Sequence, residues 1–181
     1  MRIEPAGNAA LELEGAHWSF ATDFYGRPGV SEACLMLQDG IGADVSLLLF
    51  VLFLAREQRA ILDPVDLEEL DGAIADWRRE VVWPLRSIRR RMKSGPYPAP
   101  HPASRHLLEE IKAAEIHAEQ IELAAAARWF QSRPRAISAS SIDIGAVLDG
   151  LVGFFALRCG APEARHRPEV RAALKALADA I

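Results

Sequence analysis

Asp44-Val45-Ser46-Leu47-Leu48-Leu49-Phe50-Val51-Leu52-Phe53-Leu54-Ala55 is the stretch on which the fold turns. From Val45 to Ala55 it runs for eleven residues, well short of the roughly 20 that a membrane-spanning helix needs. A helix that is apolar on every side has to be surrounded by other protein. The stretch therefore predicts a buried helix at the centre of a domain. Asp44 sits where an N-cap belongs, because a carboxylate there can accept the first free N–H groups of the helix. Before it, Gly40-Ile41-Gly42 makes a flexible corner.

Working towards the N-terminus, the spacing predicts a helix over about 30–37, with Val30, Ala33, Cys34 and Leu37 on one stripe. A shorter one runs over about 18–25 and ends before Gly26-Arg27-Pro28-Gly29. Towards the C-terminus, Leu67, Leu70, Ile74, Trp77, Val81, Leu85, Ile88 and Met92 recur at spacings of three and four. That is one long helix with a single inward seam, capped by Asp63 and Pro64 and kinked near 81–84 by Pro84, which lacks an N–H. A proline-rich connection over 95–102 follows, then a helix over about 105–130 whose inner face is Leu107, Leu108, Ile111, Ala114, Ala118, Ile121, Ala125 and Trp129. The two should form an antiparallel hairpin. After a polar break over 131–141, helices are expected over about 144–159 and 168–181. The class is all-α: a helical bundle around a central apolar helix with a long antiparallel helical hairpin.

The chain has 181 residues, half of them hydrophobic and a quarter charged. This is the composition of a globular domain and excludes wholesale disorder. A formal charge of −4 argues against a surface built entirely for nucleic acid but leaves room for a local basic patch. Cys34 and Cys159 are not in a C-x-x-C pair, so no zinc ribbon can be drawn. The N-terminal residues carry Glu4, Glu12 and Glu14 without an apolar run, unlike a secretory signal. A cytoplasmic protein without a membrane segment is expected. Residues 1–16 read as a flexible segment, 17–133 as the main helical domain and 134–181 as a helical extension packed on it.

The segments His17-Trp18-Ser19-Phe20-Ala21-Thr22-Asp23-Phe24-Tyr25, Arg27-Pro28-Gly29-Val30-Ser31-Glu32-Ala33-Cys34-Leu35-Met36-Leu37-Gln38-Asp39 and Asp44-Val45-Ser46-Leu47-Leu48-Leu49-Phe50 resemble a family of small uncharacterised proteobacterial proteins. That family carries an aromatic opening, a P-G-V-x-x-A-C-L-x-L-Q-D segment and a D-V-N-L-L-L-F segment. The likeness continues through Trp77-Arg78-Arg79-Glu80-Val81-Val82 and Pro84-Leu85-Arg86 to about Trp129, the first two thirds of the chain. Ser46, Val51 and Phe53 depart from the Asn, Cys and Trp common in the family. The resemblance implies a cytoplasmic helical protein of bacteria, a domain of unknown function, and transfers no reaction, cofactor or catalytic residue.

Several groups could carry chemistry. Gln38, Asp39 and Asp44 flank the glycine corner, where two carboxylates could shift each other's pKa; the simpler reading is that Asp39 ends one helix and Asp44 caps the next. Glu115, His117, Glu119 and Glu122 are metal-ligand types, but His117 lies two residues from Glu115 and Glu119 and points away from both. A solvated acidic face is the favoured reading, and no metal or cofactor is expected. Cys34, on an apolar stripe, reads as an inert small hydrophobe. His17 could line a pocket with Trp18 and Tyr25, or pack the first helix onto the core.

The long helix is the most asymmetric feature. Its start, residues 63–76, carries six acids, and residues 78–93 carry seven bases, an order that complements the helix dipole. Arg86, Arg89, Arg90, Arg91 and Lys93 still place five positive charges within eight residues. On a helix Arg86, Arg89, Arg90 and Lys93 share a face, with Ile88 and Met92 turned to the core.

Two functions compete. One is an interaction or adaptor module whose basic face, Arg86, Arg89, Arg90 and Lys93, takes an acidic protein or a nucleic-acid backbone; homodimerisation is compatible with it. The other is a small-molecule binder or enzyme with a pocket between the first three helices, lined by Trp18, Tyr25, Gln38, Asp39 and Asp44. No catalytic constellation is visible for an enzyme. Polar groups converging on a cavity near Asp39 would favour the second, and filled packing there the first.

Overall fold

The structure, a computed structural model, describes residues 10–133 and 141–181. Residues 1–9 of the expected N-terminal segment and 134–140 of the expected polar break lie outside the described residues. Among the described residues eight α-helices follow one another: α1 (Ala16–Tyr25), α2 (Val30–Ile41), α3 (Val45–Glu57), α4 (Pro64–Trp77), α5 (Trp83–Ser94), α6 (Pro102–Gln131), α7 (Ile144–Arg158) and α8 (Pro168–Ala180). A π-turn, Arg78–Val82, joins α4 to α5, and a 3₁₀ turn, Pro162–His166, precedes α8. There is no strand among the described residues, so the all-α expectation holds.

The central helix is α3. Every residue from Ser46 to Ala55 is buried, against α1, α2, α6 and α7. Leu47, Leu48, Leu52 and Leu54 retain no exposed surface, and burying a side chain of that size is worth about 1.5–3 kcal/mol. The corner before it depends on Gly42, whose φ of 67° is left-handed and open to glycine at little strain. That turn lets the N–H groups of Gly42 and Ala43 reach back to the carbonyls of Gln38 and Leu37. Helix α2 thus continues four residues past its expected end at Leu37.

Helix α8 lies on α2: Val170, Ala173, Leu174 and Leu177 are buried, as are Val30, Ala33, Cys34, Leu37 and Ile41 opposite. Arg27 from the α1–α2 turn donates to the Ala180 carbonyl at 2.6 Å. A cation there satisfies one of the last carbonyls of α8.

The long helix and α6 pack as a hairpin, but its seam departs from the expected one. Leu67, Leu70 and Ile74 are buried as predicted. At the π-turn the N–H of Trp83 bonds the carbonyl of Arg78, five residues back rather than four, and Pro84 has no N–H to offer the next turn. The extra residue rotates everything beyond it. Arg78 and Val82 are buried there, Val81, Leu85 and Met92 are half-buried, and Ile88 is 47% exposed. No residue of α5 is fully buried.

Helix α6 also departs from its expected inner face. Its buried residues are Glu115, Ala118, Gln120, Glu122, Leu123, Ala124, Ala126 and Ala127, while Leu107 and Ala114 are exposed. The C-terminal half is enclosed on several sides by α1, α3 and α4, so a single-stripe reading cannot describe it. The acidic face is turned inward: Glu115 is 5% exposed and Glu122 has no exposed surface. Buried carboxylates need cations within reach, and the arginines of the opposite arm are there.

Candidate functional site: an arginine-lined cleft

Four pieces of chain enclose a cleft of about 830 Å³, α4 among them with Asp71 and Ala75. The α2–α3 corner contributes Gln38, Asp39 and Asp44; the π-turn and α5 contribute Arg78, Arg79, Trp83, Arg86, Ser87, Arg90 and Arg91; the end of α7 contributes Arg158 and Cys159. Six arginines line it against three aspartates, Asp39, Asp44 and Asp71. The spacing of Trp83, Ser87, Arg90, Arg91 and Ser94 puts them on one stripe of α5. Trp83 is 51% exposed, a large flat side chain left uncovered among cations.

The floor of the cleft is a buried charge cluster centred on Arg78. Its Nε lies 2.9 Å from Asp44 Oδ2 and 2.9 Å from Glu122 Oε1, and its Nη1 donates to Asp71 Oδ1 at 2.6 Å. Asp44 also caps α3, Oδ1 accepting the Leu47 N–H at 2.7 Å. Burial works against the Arg78 charge, but Asp44, Glu122 and Asp71 outweigh it and raise its pKa. Glu122 goes the other way. Burial, helped by the Asp44 charge, pushes it up to about 8 despite Arg78. Arg158 closes the cluster from α7, 3.0 Å from Asp71 Oδ2.

A second set of pairs lies about two turns further along the hairpin. Arg86 donates to Glu115, to Glu119 and, through Nη1 at 2.9 Å, to Gln38 Oε1. Arg89 pairs with both oxygens of Glu115. Burial would raise the Glu115 pKa, but the hydrogen bonds and charges of Arg89 and Arg86 hold it below the ordinary carboxylate value. Burial raises that of Glu119 in spite of Arg86.

Of the basic face expected from the sequence, Arg86 and Arg89 are therefore turned inward and paired within the chain. Arg90 stands 53% exposed, 3.6 Å from Asp39. Lys93 and Arg91 are exposed. The five residues of the expected pocket do not share one cavity. Asp39 and Asp44 face the arginine-lined cleft, Trp18 and Tyr25 line a separate cavity on the other side of Arg86, and Gln38 reaches both. His17 is in neither: it is buried with its ring edge-on to Phe53 at 6.3 Å. Cys34 is fully enclosed, and burial pushes its thiol up to about 12, which keeps it protonated and unreactive near neutral pH.

Sequence reasoning missed Asp71, Arg78 and Arg158 as members of a site and set Glu115 and Glu122 aside as a solvated acidic face. A signal existed. In an antiparallel hairpin residues ascending one arm meet residues descending the other, so five bases on one arm and several glutamates on the other are a signal for pairing across it, although the register that joins Arg78 to Glu122 and Arg86 and Arg89 to Glu115 is set by the packing. Among the described residues no group of three or more His, Cys, Asp or Glu side chains is arranged to hold a metal, although Glu-x-x-His spacings occur at Glu14–His17 and Glu163–His166. Among them, too, no helix is long and apolar enough to cross a membrane.

Fold and site together define an all-helical domain whose hairpin is held by internal arginine–carboxylate pairs beneath an open, cationic cleft. The family model described as "Protein of unknown function (DUF2390)" matches residues 16–125, and the chain belongs to that family. The match takes in α1 to α5 and most of α6, leaving α7 and α8 beyond it. No curated protein and no solved structure matches the chain.

Proposed function

We propose that this protein binds a small anionic molecule with a flat part in the arginine-lined cleft. The observation that carries the reading is the open side of the cleft: Arg78, Arg79, Arg86 and Arg158 are paired with carboxylates of the chain, while Arg90 and Arg91 stand exposed beside the half-exposed Trp83. A guanidinium holds a carboxylate or phosphate through paired N–H donors, and an indole face offers stacking area. Arg78, Asp44, Asp71 and Arg158 shape the floor, held by one another. A reducing bacterial cytoplasm goes with this reading, since both Cys34 and Cys159 are free thiols.

The adaptor reading has less support. Two of the four bases it needs, Arg86 and Arg89, already face Glu115 and Glu119, which leaves Arg90 and Lys93 to meet an acidic protein or a nucleic-acid backbone.

Calorimetric titration with adenosine monophosphate and with inorganic phosphate tests the proposal. Saturable binding of the nucleotide should weaken at least tenfold in an Arg90→Ala/Arg91→Ala variant that melts like the parent. Absence of saturable binding by either probe at millimolar concentration, or affinities unchanged in the variant, would overturn it.

A further inference from the structure

The cavity on the far side of Arg86 has a different chemistry. It encloses about 550 Å³ between α1, α2, α3, α5 and α6, a volume in the usual range for small-molecule sites. Its wall is mainly apolar: Trp18, Leu35, Val45, Leu49, Ile116 and Leu123 all face it. Two of these, Leu35 and Ile116, remain 45% and 44% exposed, although they sit on a concave surface where an occupant would cover both.

Charge lies along α5 and α6, where Arg86, Arg89, Arg90, Lys93 and Lys112 outnumber the carboxylates of Glu109, Glu115 and Glu119, and Glu119 is held by Arg86. Arg89 and Lys93 approach from α5 and Lys112 from α6. Glu115 is already engaged by Arg86 and Arg89, and Lys112 has only a loose 3.8 Å contact with Glu109. Lys93 has no ion pair among the described residues. This lining therefore carries an excess of positive charge. Along α6 the lining runs from Lys112 past Ile116 and Glu119 to Leu123, and Trp18 and Leu49 line the cavity from α1 and α3. A cationic lining beside an apolar one matches a molecule with one anionic head and an apolar tail.

We propose that this cavity is a second binding site, which takes a medium-chain carboxylic acid. Its carboxylate lies at Lys93 and Arg89, and its chain runs along Ile116 and Leu35 towards Trp18 and Leu49. The site does not rest on the reading of the arginine-lined cleft, because Lys93, Leu35 and Ile116 line only this cavity.

The test uses the full chain, freed of lipid, titrated by calorimetry with decanoate and, as a neutral match, with decanol. One decanoate should bind per chain, and decanol at least tenfold more weakly. Lys93→Glu and Ile116→Asp alter exposed or half-exposed positions, so both variants should melt like the parent; each should weaken decanoate at least tenfold while leaving adenosine monophosphate titrations of the cleft unchanged. The proposal is overturned if decanoate shows no saturable binding below its micelle concentration, if decanol binds as well, or if both variants bind decanoate like the parent.

Discussion

Asp44 Oδ2 stands 2.9 Å from Nε of Arg78, so the residue that caps the central helix is also bound to the π-turn of the hairpin. Its two oxygens have separate tasks, since Oδ1 holds the Leu47 N–H. The cap and the ion pair can be separated by mutation. Asp44→Asn keeps an acceptor for Leu47 and leaves Arg78 with Asp71 and Glu122. Asp44→Ala removes the acceptor as well and should be less stable than Asp44→Asn by about 1–3 kcal/mol, the usual consequence of an unpaired buried N–H. Urea denaturation of the two variants measures the difference.

Arg78 holds three carboxylates of which two, Asp71 and Glu122, are almost completely buried. Replacing it with Met fills similar space but leaves buried Asp44 without its cation and Asp71 with Arg158 alone. A loss of about 3–5 kcal/mol is expected, as for other buried pairs broken on one side, and is read as a fall in the urea midpoint at pH 7.

Glu122 carries a distinctive pH dependence. Its folded pKa is raised to about 8 from an ordinary 4.5, so between those values the folded state binds more protons than the unfolded one. The contribution of this group is therefore fully present below pH 4.5 and is lost as pH rises through about 8. Glu115, held below the ordinary value by Arg89 and Arg86 against its own burial, has the opposite sign and contributes stability that is lost in acid. Glu122→Gln, neutral at every pH, should flatten the decline in melting temperature between about pH 4.5 and 8 while leaving the acid limb in place.

The arginines of α5 should divide into two classes. Arg86→Ala/Arg89→Ala strips both cations from Glu115, which is 5% exposed, and should destabilise the chain by about 3 kcal/mol or more. Arg90→Ala/Lys93→Ala removes exposed charges and should change stability by no more than about 0.5 kcal/mol. Thermal melts of the two double variants in the same buffer decide the matter.

Leu177 in α8 has no exposed surface and belongs to the same apolar core as Leu52 in α3. Leu177→Ala and Leu52→Ala should each cost about 2–5 kcal/mol. Both should unfold in a single transition with the rest of the chain if 134–181 and 17–133 form one cooperative unit. An early separate transition in the Leu177→Ala variant would show instead that the C-terminal helices fold by themselves.

The amino-acid sequence by itself determined the helices, because helix formation depends on local spacing, caps and breakers. Val45 to Ala55 could only be an enclosed helix, Asp44 could only precede it, and Gly26, Gly42 and the prolines over 96–102 could only interrupt. It also placed the hairpin and the stripe by which α2 meets its neighbour. Tertiary structure alone decided which charges were inside. Five bases on α5 and three glutamates on α6 look, one helix at a time, like solvated faces, and helical spacing of 3.6 residues extrapolates the seam straight through Trp77. Arg78 continues the Asp71–Ile74 stripe of α4 into the core, the π-turn adds one residue and rotates α5 beyond it, and the opposite arm supplies Glu122, Glu115 and Glu119. Whether a charged side chain is solvent-facing or buried depends on the partner across the interface, which no local window of sequence contains.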